Sequence, residues 1–170
     1  MIELTEIDLA AALLRAVIGV IMIAHGHNHL FGPGGVAGTA RWFGGLGLRP
    51  PALHAWTSGL LEMAAGVGLL LGLATPLWTA ATVGVATVAG IAAHRPNGFF
   101  VFKDGYEYVL VLAVASAALA ALGPGAWSLD HLVGIDFAGG WPALGVLAAG
   151  VLGALGLLAA CWRPSASADG

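Results

Sequence analysis

The residues best suited to chemistry are three histidines that alternate near the end of the first apolar stretch. His25, His27 and His29 lie within Ala-His-Gly-His-Asn-His-Leu-Phe-Gly, residues 24–32. Successive residues of an α-helix are turned by about 100°, so His25 and His29 share one face and His27 points away. Their i, i+4 spacing is that of metal or haem ligands. The alternatives are a hydrogen-bonding site for a quinone headgroup and interfacial histidines that bond only to backbone and water.

Arg15 and Glu62 are the charges that lie deep within apolar segments. A charge near the middle of a bilayer costs about 2.5–3.5 kcal/mol on insertion scales, so both side chains should face the protein interior. One interpretation is a buried ion pair between Arg15 and Glu62 that locks the helices together. The other is a Glu62 carboxylate that serves a proton step or binds a ligand. Gly59 and Gly66 leave space beside it for another helix or for that ligand.

The composition predicts an integral membrane protein. The chain has 170 residues, of which 59% are hydrophobic and 9% charged, whereas soluble domains carry about a quarter charged residues. We expect a single membrane domain over residues 1–170. Cys161 is the one cysteine, which excludes an internal disulfide and a Cys-x-x-Cys redox pair. No phosphate loop, dinucleotide fingerprint or large basic patch is present, so nucleic acid is not expected as a partner.

Apolar segments near the length of a membrane span define the predicted elements. They are predicted helices at about residues 9–30, 52–73, 76–93, 106–122 and 142–162, and residues 36–46 suit a short interfacial helix. The fold class is therefore all-α, an integral membrane helical bundle. Its expected partner is the lipid bilayer that surrounds it. In the last helix Gly145, Ala149 and Gly153 form a ladder of small residues that suits close helix contact. This ladder predicts a homo-oligomer formed through the fifth helix.

The basic residues predict the orientation. Because basic residues prefer the cytoplasmic side, five crossings place the N-terminus outside and the C-terminus in the cytoplasm of a bacterial cytoplasmic (inner) membrane. The basic residues that this topology collects on one side are Arg41, Arg49, Arg95, Lys103 and Arg163. The same side gathers His25, His27, His29, His54, His94 and Asn97.

Several stretches of the chain resemble, in order, the DoxX family of small bacterial membrane proteins. They are residues 24–32, residues 59–62 with Gly66, residues 94–100, residues 105–108 and residues 122–130. The resemblance covers about residues 10–130 and implies a four-helix core, to which the fifth C-terminal transmembrane helix is an extension. One position differs, because many members carry lysine where this chain has His29.

The resemblance implies a role in redox or oxidative-stress metabolism. The family is named after a membrane subunit of a thiosulfate:quinone oxidoreductase, and relatives are linked to membrane assemblies with superoxide dismutase and a sulfurtransferase. A quinone, menaquinone or ubiquinone, is the implied cofactor, and a metal or haem is not expected. The recurrent polar positions of the family fall on His25, Glu62, His94, Asn97 and Glu107.

The leading hypothesis is a quinone-linked redox subunit. If the chain is part of an enzyme, that enzyme is a quinone-dependent oxidoreductase. His25 and His94 would hydrogen-bond the quinone ring near the cytoplasmic face, and Glu62 would handle protons together with Glu107. Further candidates for ligand binding are His29, Asn97, Tyr106 and Glu107. The alternatives are a non-catalytic anchor that recruits soluble redox enzymes to the cytoplasmic face, and a small-molecule or proton-coupled transporter.

Overall fold

The apolar segments fold into α-helices in a computed structural model that describes residues 6–164. Over this range the chain is an all-α bundle with no β-strand. Its α-helices are α1 Glu6–Phe31, α2 Gly35–Gly45, α3 Pro51–Leu71, α4 Thr75–Ala89, α5 Glu107–Leu122, α6 Leu129–Leu132 and α7 Gly140–Cys161. Beyond α4 the chain continues as a π-helical turn, Gly90–His94, and a 3-10 turn, Arg95–Asn97. The predicted helical fold and the short helix after α1 are confirmed, and α6 is an addition.

Length and composition identify candidate membrane spans among these helices. Three are long and apolar enough to cross a membrane: Glu6–Phe31, Thr75–Asn97 and Gly140–Cys161. The helix α5 is equally apolar but shorter, with 16 residues. The helix α3 has 21 residues, but His54 and Glu62 lower its hydropathy. The chain is therefore a membrane protein, and α3 and α5 complete the bundle beside the three candidate spans.

Glycines bring α1 and α3 into close contact. A Cβ atom added to Gly66 would collide with the Gly19 carbonyl, and one added to Gly26 would collide with the Gly59 carbonyl. The two pairs show that α1 and α3 are antiparallel, because the residue number rises along one helix as it falls along the other. The space beside Glu62 that its neighbouring glycines leave is thus filled by a helix, α1.

The predicted ion pair between Arg15 and Glu62 is wrong. The glycine contacts fix a register in which Arg15 lies level with Leu70, and Glu62 lies level with Ile23. The two charges are therefore separated by about 12 Å along the helix axes at 1.5 Å per residue. Arg15 instead donates to the Trp127 carbonyl at 2.5 Å.

The helix α7 packs on α4 and α5 rather than on α3. Its buried stripe is Val146, Gly150 and Ala154, one residue beyond the predicted ladder of Gly145, Ala149 and Gly153. Gly150 lies against the Ala80 carbonyl and Val83 of α4. Gly145 and Gly153 have open space where a Cβ would stand, so the predicted ladder does not mediate contact within the bundle.

The end of α7 is tied to the segment between α2 and α3. The Arg49 amide donates to the Cys161 carbonyl, and the Arg163 amide donates to the Gly47 carbonyl, both at 2.8 Å. The Trp162 indole donates to the Leu46 carbonyl, also at 2.8 Å. These bonds hold α2 over the end of the bundle at which α3 begins.

Candidate functional site

A cavity of about 680 Å³ lies beneath α2, between α1, α3, α4, α5 and α7. Small and aliphatic side chains of α4 and α7 form much of its wall, among them Ala80, Val88 and Ala154. The polar side chains that line it are Asn28, His25, His29, His54, Thr57, Ser58, Glu62, His94 and Tyr108. Its size and its mostly apolar wall with a few polar groups are typical of sites for small organic ligands.

Glu62 is the acidic residue that lines this cavity. Its side chain is only 2% exposed, because α1 packs against α3 on one side of it. The Ser58 hydroxyl donates to Oε1 at 2.5 Å, and His29 Nε2 lies 3.6 Å from the same oxygen. The other carboxylate oxygen, Oε2, is buried and has no hydrogen-bond partner in the described part of the chain. Buried polar atoms are nearly always hydrogen-bonded, so an unpartnered Oε2 indicates a place for a ligand or water.

His29 is held in position by the short helix α2. Its ring stacks on Trp42, with centroids 6.1 Å apart, and contacts Phe43 at 5.5 Å. The Thr39 hydroxyl donates to the His29 carbonyl at 2.8 Å and ties the two helices together. The Gly/Pro turn after α1 thus allows α2 to fold back and fix the imidazole beside Glu62.

A second polar group of the cavity lies where α1 approaches α5. The Tyr108 hydroxyl is 3.4 Å from His25 Nε2, and the two rings stack with centroids 5.9 Å apart. His94, at the end of the π-helical turn, also lines the cavity and bonds through Nδ1 to the Asp104 carbonyl at 2.7 Å. The predicted residues His25, His29, Glu62 and His94 are thus brought to one cavity.

The structure adds residues that the sequence had not assigned to the site. His54 lines the cavity and its Nε2 bonds to the Arg49 carbonyl at 3.1 Å. Ser58 precedes Glu62 by four residues, a spacing that places both on one helix face, so this partner could have been found from the sequence. Tyr108 had no such signal, since its contact with His25 depends on how α5 packs against α1.

Three predicted ligand-binding residues lie elsewhere. Asn97 bonds to the carbonyls of Ala93 and Asp104 at 3.4 and 3.2 Å. Glu107 accepts a bond from the Val101 amide at 2.9 Å, and Tyr106 packs edge-on against Phe99. None of the three lines the cavity. They stabilise the loop before α5, because a loop without regular structure needs partners for its backbone groups.

The arrangement can bind an organic headgroup that carries oxygen atoms and can exchange protons with it. Glu62, Ser58 and His29 form one polar group, and His25, Tyr108 and His94 provide a second. No cluster of three or more His, Cys, Asp or Glu side chains that could hold a metal ion occurs between residues 6 and 164.

Comparison with known proteins gives one match. The family model for DoxX matches residues 10–95, about half of the chain, from α1 to the turns that follow α4. No curated protein matches the chain, and no solved structure does. Glu62 and the histidines of the cavity lie inside the matched segment, whereas Tyr108 and α7 lie outside it.

Proposed function

Since the chain belongs to the DoxX family, we propose that it is a quinone-linked subunit of a redox complex in the membrane. In the cavity, Glu62 would hold one ring oxygen of the quinone, and His25 and Tyr108 would hold the opposite one. A benzoquinone or naphthoquinone ring suits the mostly apolar wall, and its oxygens suit the polar groups.

The observation that carries this proposal is the buried Oε2 atom of Glu62, which lacks a partner among the described residues. A quinol hydroxyl would donate to this oxygen and remove the penalty of leaving it unsatisfied. On the oxidised ring, the Tyr108 hydroxyl and an imidazole N–H can donate to the carbonyl oxygens.

Reduction of a quinone to its quinol takes up a pair of electrons and a pair of protons. With Cys161 as its one cysteine, the chain has no dithiol to supply the electrons, so we assign their delivery to a partner redox enzyme. The chain's own part is to bind the ring and to pass protons through Glu62, Ser58 and His29. Catalysis then belongs to the complex.

Binding of a short-tailed benzoquinone to the purified protein tests the proposal. Trp42 lines the cavity, so bound quinone should quench tryptophan fluorescence. Glu62→Leu is expected to weaken binding at least about tenfold, because a hydrogen bond to a charged group contributes about 1.5–3 kcal/mol. Glu107→Leu is the matched control, since Glu107 is an acidic residue outside the cavity. This variant should bind the quinone with the affinity of the wild type.

Mass spectrometry of ligands and proteins that co-purify from native membranes distinguishes the alternatives. A retained quinone that is lost in Glu62→Leu supports the proposal. A soluble enzyme retained equally by wild type and Glu62→Leu, without any quinone, favours the non-catalytic anchor. Uptake of a solute into vesicles that contain only this protein would favour a transporter. Equal quinone binding by wild type and Glu62→Leu would overturn the proposed site.

A further inference from the structure

The wall of the cavity is open toward the membrane between α3 and α7. Leu61 of α3 and Leu157 of α7 both line the cavity, yet they are 41% and 37% exposed. Between them the α7 surface carries Ala149 and Gly153, which also line the cavity. The helix α7 packs on α4 and α5, and the exposed Leu61 and Leu157 border this gap.

Gly153 lines the cavity at this opening. A Cβ atom at Gly153 would meet no other atom within 4 Å. The glycine is therefore not needed for packing inside the bundle, unlike Gly150, whose Cβ would collide with Ala80 and Val83. Its lack of a side chain instead leaves space in the cavity wall.

We propose that this gap is a portal through which the ligand enters from the bilayer, and that the apolar tail of the ligand lies against Gly153. The inference rests on the proposed function and adds the route by which a quinone with a long hydrocarbon tail reaches the cavity. The ring enters the cavity and the tail stays in the portal, in contact with lipid.

A stripe of small residues also suits a second helix, but the cavity favours a tailed ligand. Behind the stripe lies Glu62, buried and with Oε2 unpartnered in the described range. A helix pressed against α7 would close the portal with apolar side chains and leave this oxygen unsatisfied. A ligand with a polar ring and an apolar tail does both: its ring forms a hydrogen bond with Oε2, and its tail fills the portal.

The portal wall on α7 lies outside the segment that matches the family, residues 10–95. The polar groups that meet the ring come from that segment except for Tyr108. The residues that contact the tail therefore lie in the C-terminal helix α7, whereas most of those that contact the ring lie in the matched segment.

The test compares Gly153→Phe with Gly156→Phe in protein reconstituted into lipid nanodiscs. Gly156 has equally open space at its Cβ position but does not line the cavity, so it controls for a bulky substitution on α7. The probes are a tail-free benzoquinone and the same ring with a long isoprenoid tail, and binding is read from tryptophan fluorescence. Gly153→Phe is expected to weaken binding of the tailed quinone about tenfold to hundredfold, as overpacking a filled site does.

The wild type should bind both quinones, and Gly156→Phe should bind them with the affinity of the wild type. Gly153→Phe should keep the wild-type affinity for the tail-free quinone. Equal binding of the tailed quinone by both variants would overturn the portal while leaving the ring site intact. Loss of both quinones in Gly153→Phe would also overturn it. Wild-type protein that binds neither quinone would overturn the proposed function itself. A change in oligomeric state confined to Gly153→Phe, measured by light scattering, would instead assign this face to a contact between copies.

Discussion

Removing the Asp130 carboxylate is expected to destabilise the bundle strongly. The Asp130 side chain is fully buried and lies in α6, far along the chain from α4. Its Oδ1 accepts a bond from the Ala74 amide at 2.6 Å, and its Oδ2 accepts one from the Thr75 amide at 2.7 Å. The first amides of a helix have no partner within the helix. A carboxylate from α6, distant along the chain, therefore caps α4.

The expected size of the effect follows from these contacts. Asp130→Ala leaves two amides without partners, at about 1–3 kcal/mol each. We therefore expect a loss of about 2–6 kcal/mol in the free energy of unfolding. Asp130→Asn keeps one acceptor oxygen and should lose less.

The assay is unfolding of the purified protein in mixed micelles, followed by circular dichroism. Asp136→Ala is the matched control, because Asp136 lies in the segment just after α6, with its side chain 56% exposed, and pairs with His131 at 3.0 Å. Exposed pairs contribute about 0–1 kcal/mol. If Asp130→Ala is no less stable than Asp136→Ala, the capping of α4 by Asp130 does not stabilise the fold and the reasoning is refuted.

Two further predictions concern helix contacts and use the same unfolding measurement. Gly66→Val should separate α1 from α3, because its side chain would meet the Gly19 carbonyl, and we expect a loss of about 1–3 kcal/mol; Gly156→Val, with open space, should change little. Trp162→Phe removes the bond to the Leu46 carbonyl and should cost about 1 kcal/mol, and unchanged stability would show that this bond does not hold α7 to α2.

The sequence predicted the helices well because apolar length and turn residues decide them locally. It placed the third long helix at residues 76–93, whereas α4 ends at Ala89 and continues as the π-helical turn Gly90–His94. Pro96 explains part of the difference, since proline has no amide to donate and restricts the residue before it. The wider turn leaves His94 in the wall of the cavity, and π-helical turns are frequent at functional sites.

Part of the cavity lining could be predicted, and the predicted residues that lie outside the cavity do so for a shared physical reason. The i, i+4 pair His25 and His29 was found because helix geometry alone puts them on one face. Asn97 and Glu107 lie outside the cavity, because Asn97 belongs to the turns before α5 and Glu107 is the first residue of α5. There the side chains bond to nearby backbone groups, and nothing in the sequence says which groups will be left for them.

The error over Arg15 has a consequence for the chemistry of the site. From the sequence, Arg15 was the natural partner for Glu62, since no other cation lay as deep. The register between α1 and α3 instead directs Arg15 to the Trp127 carbonyl and to the end of the bundle that holds Asp130. Glu62 is left with a serine hydroxyl and a histidine. A carboxylate paired with arginine would have been occupied, whereas Oε2 of Glu62 has no hydrogen-bond partner among the described residues.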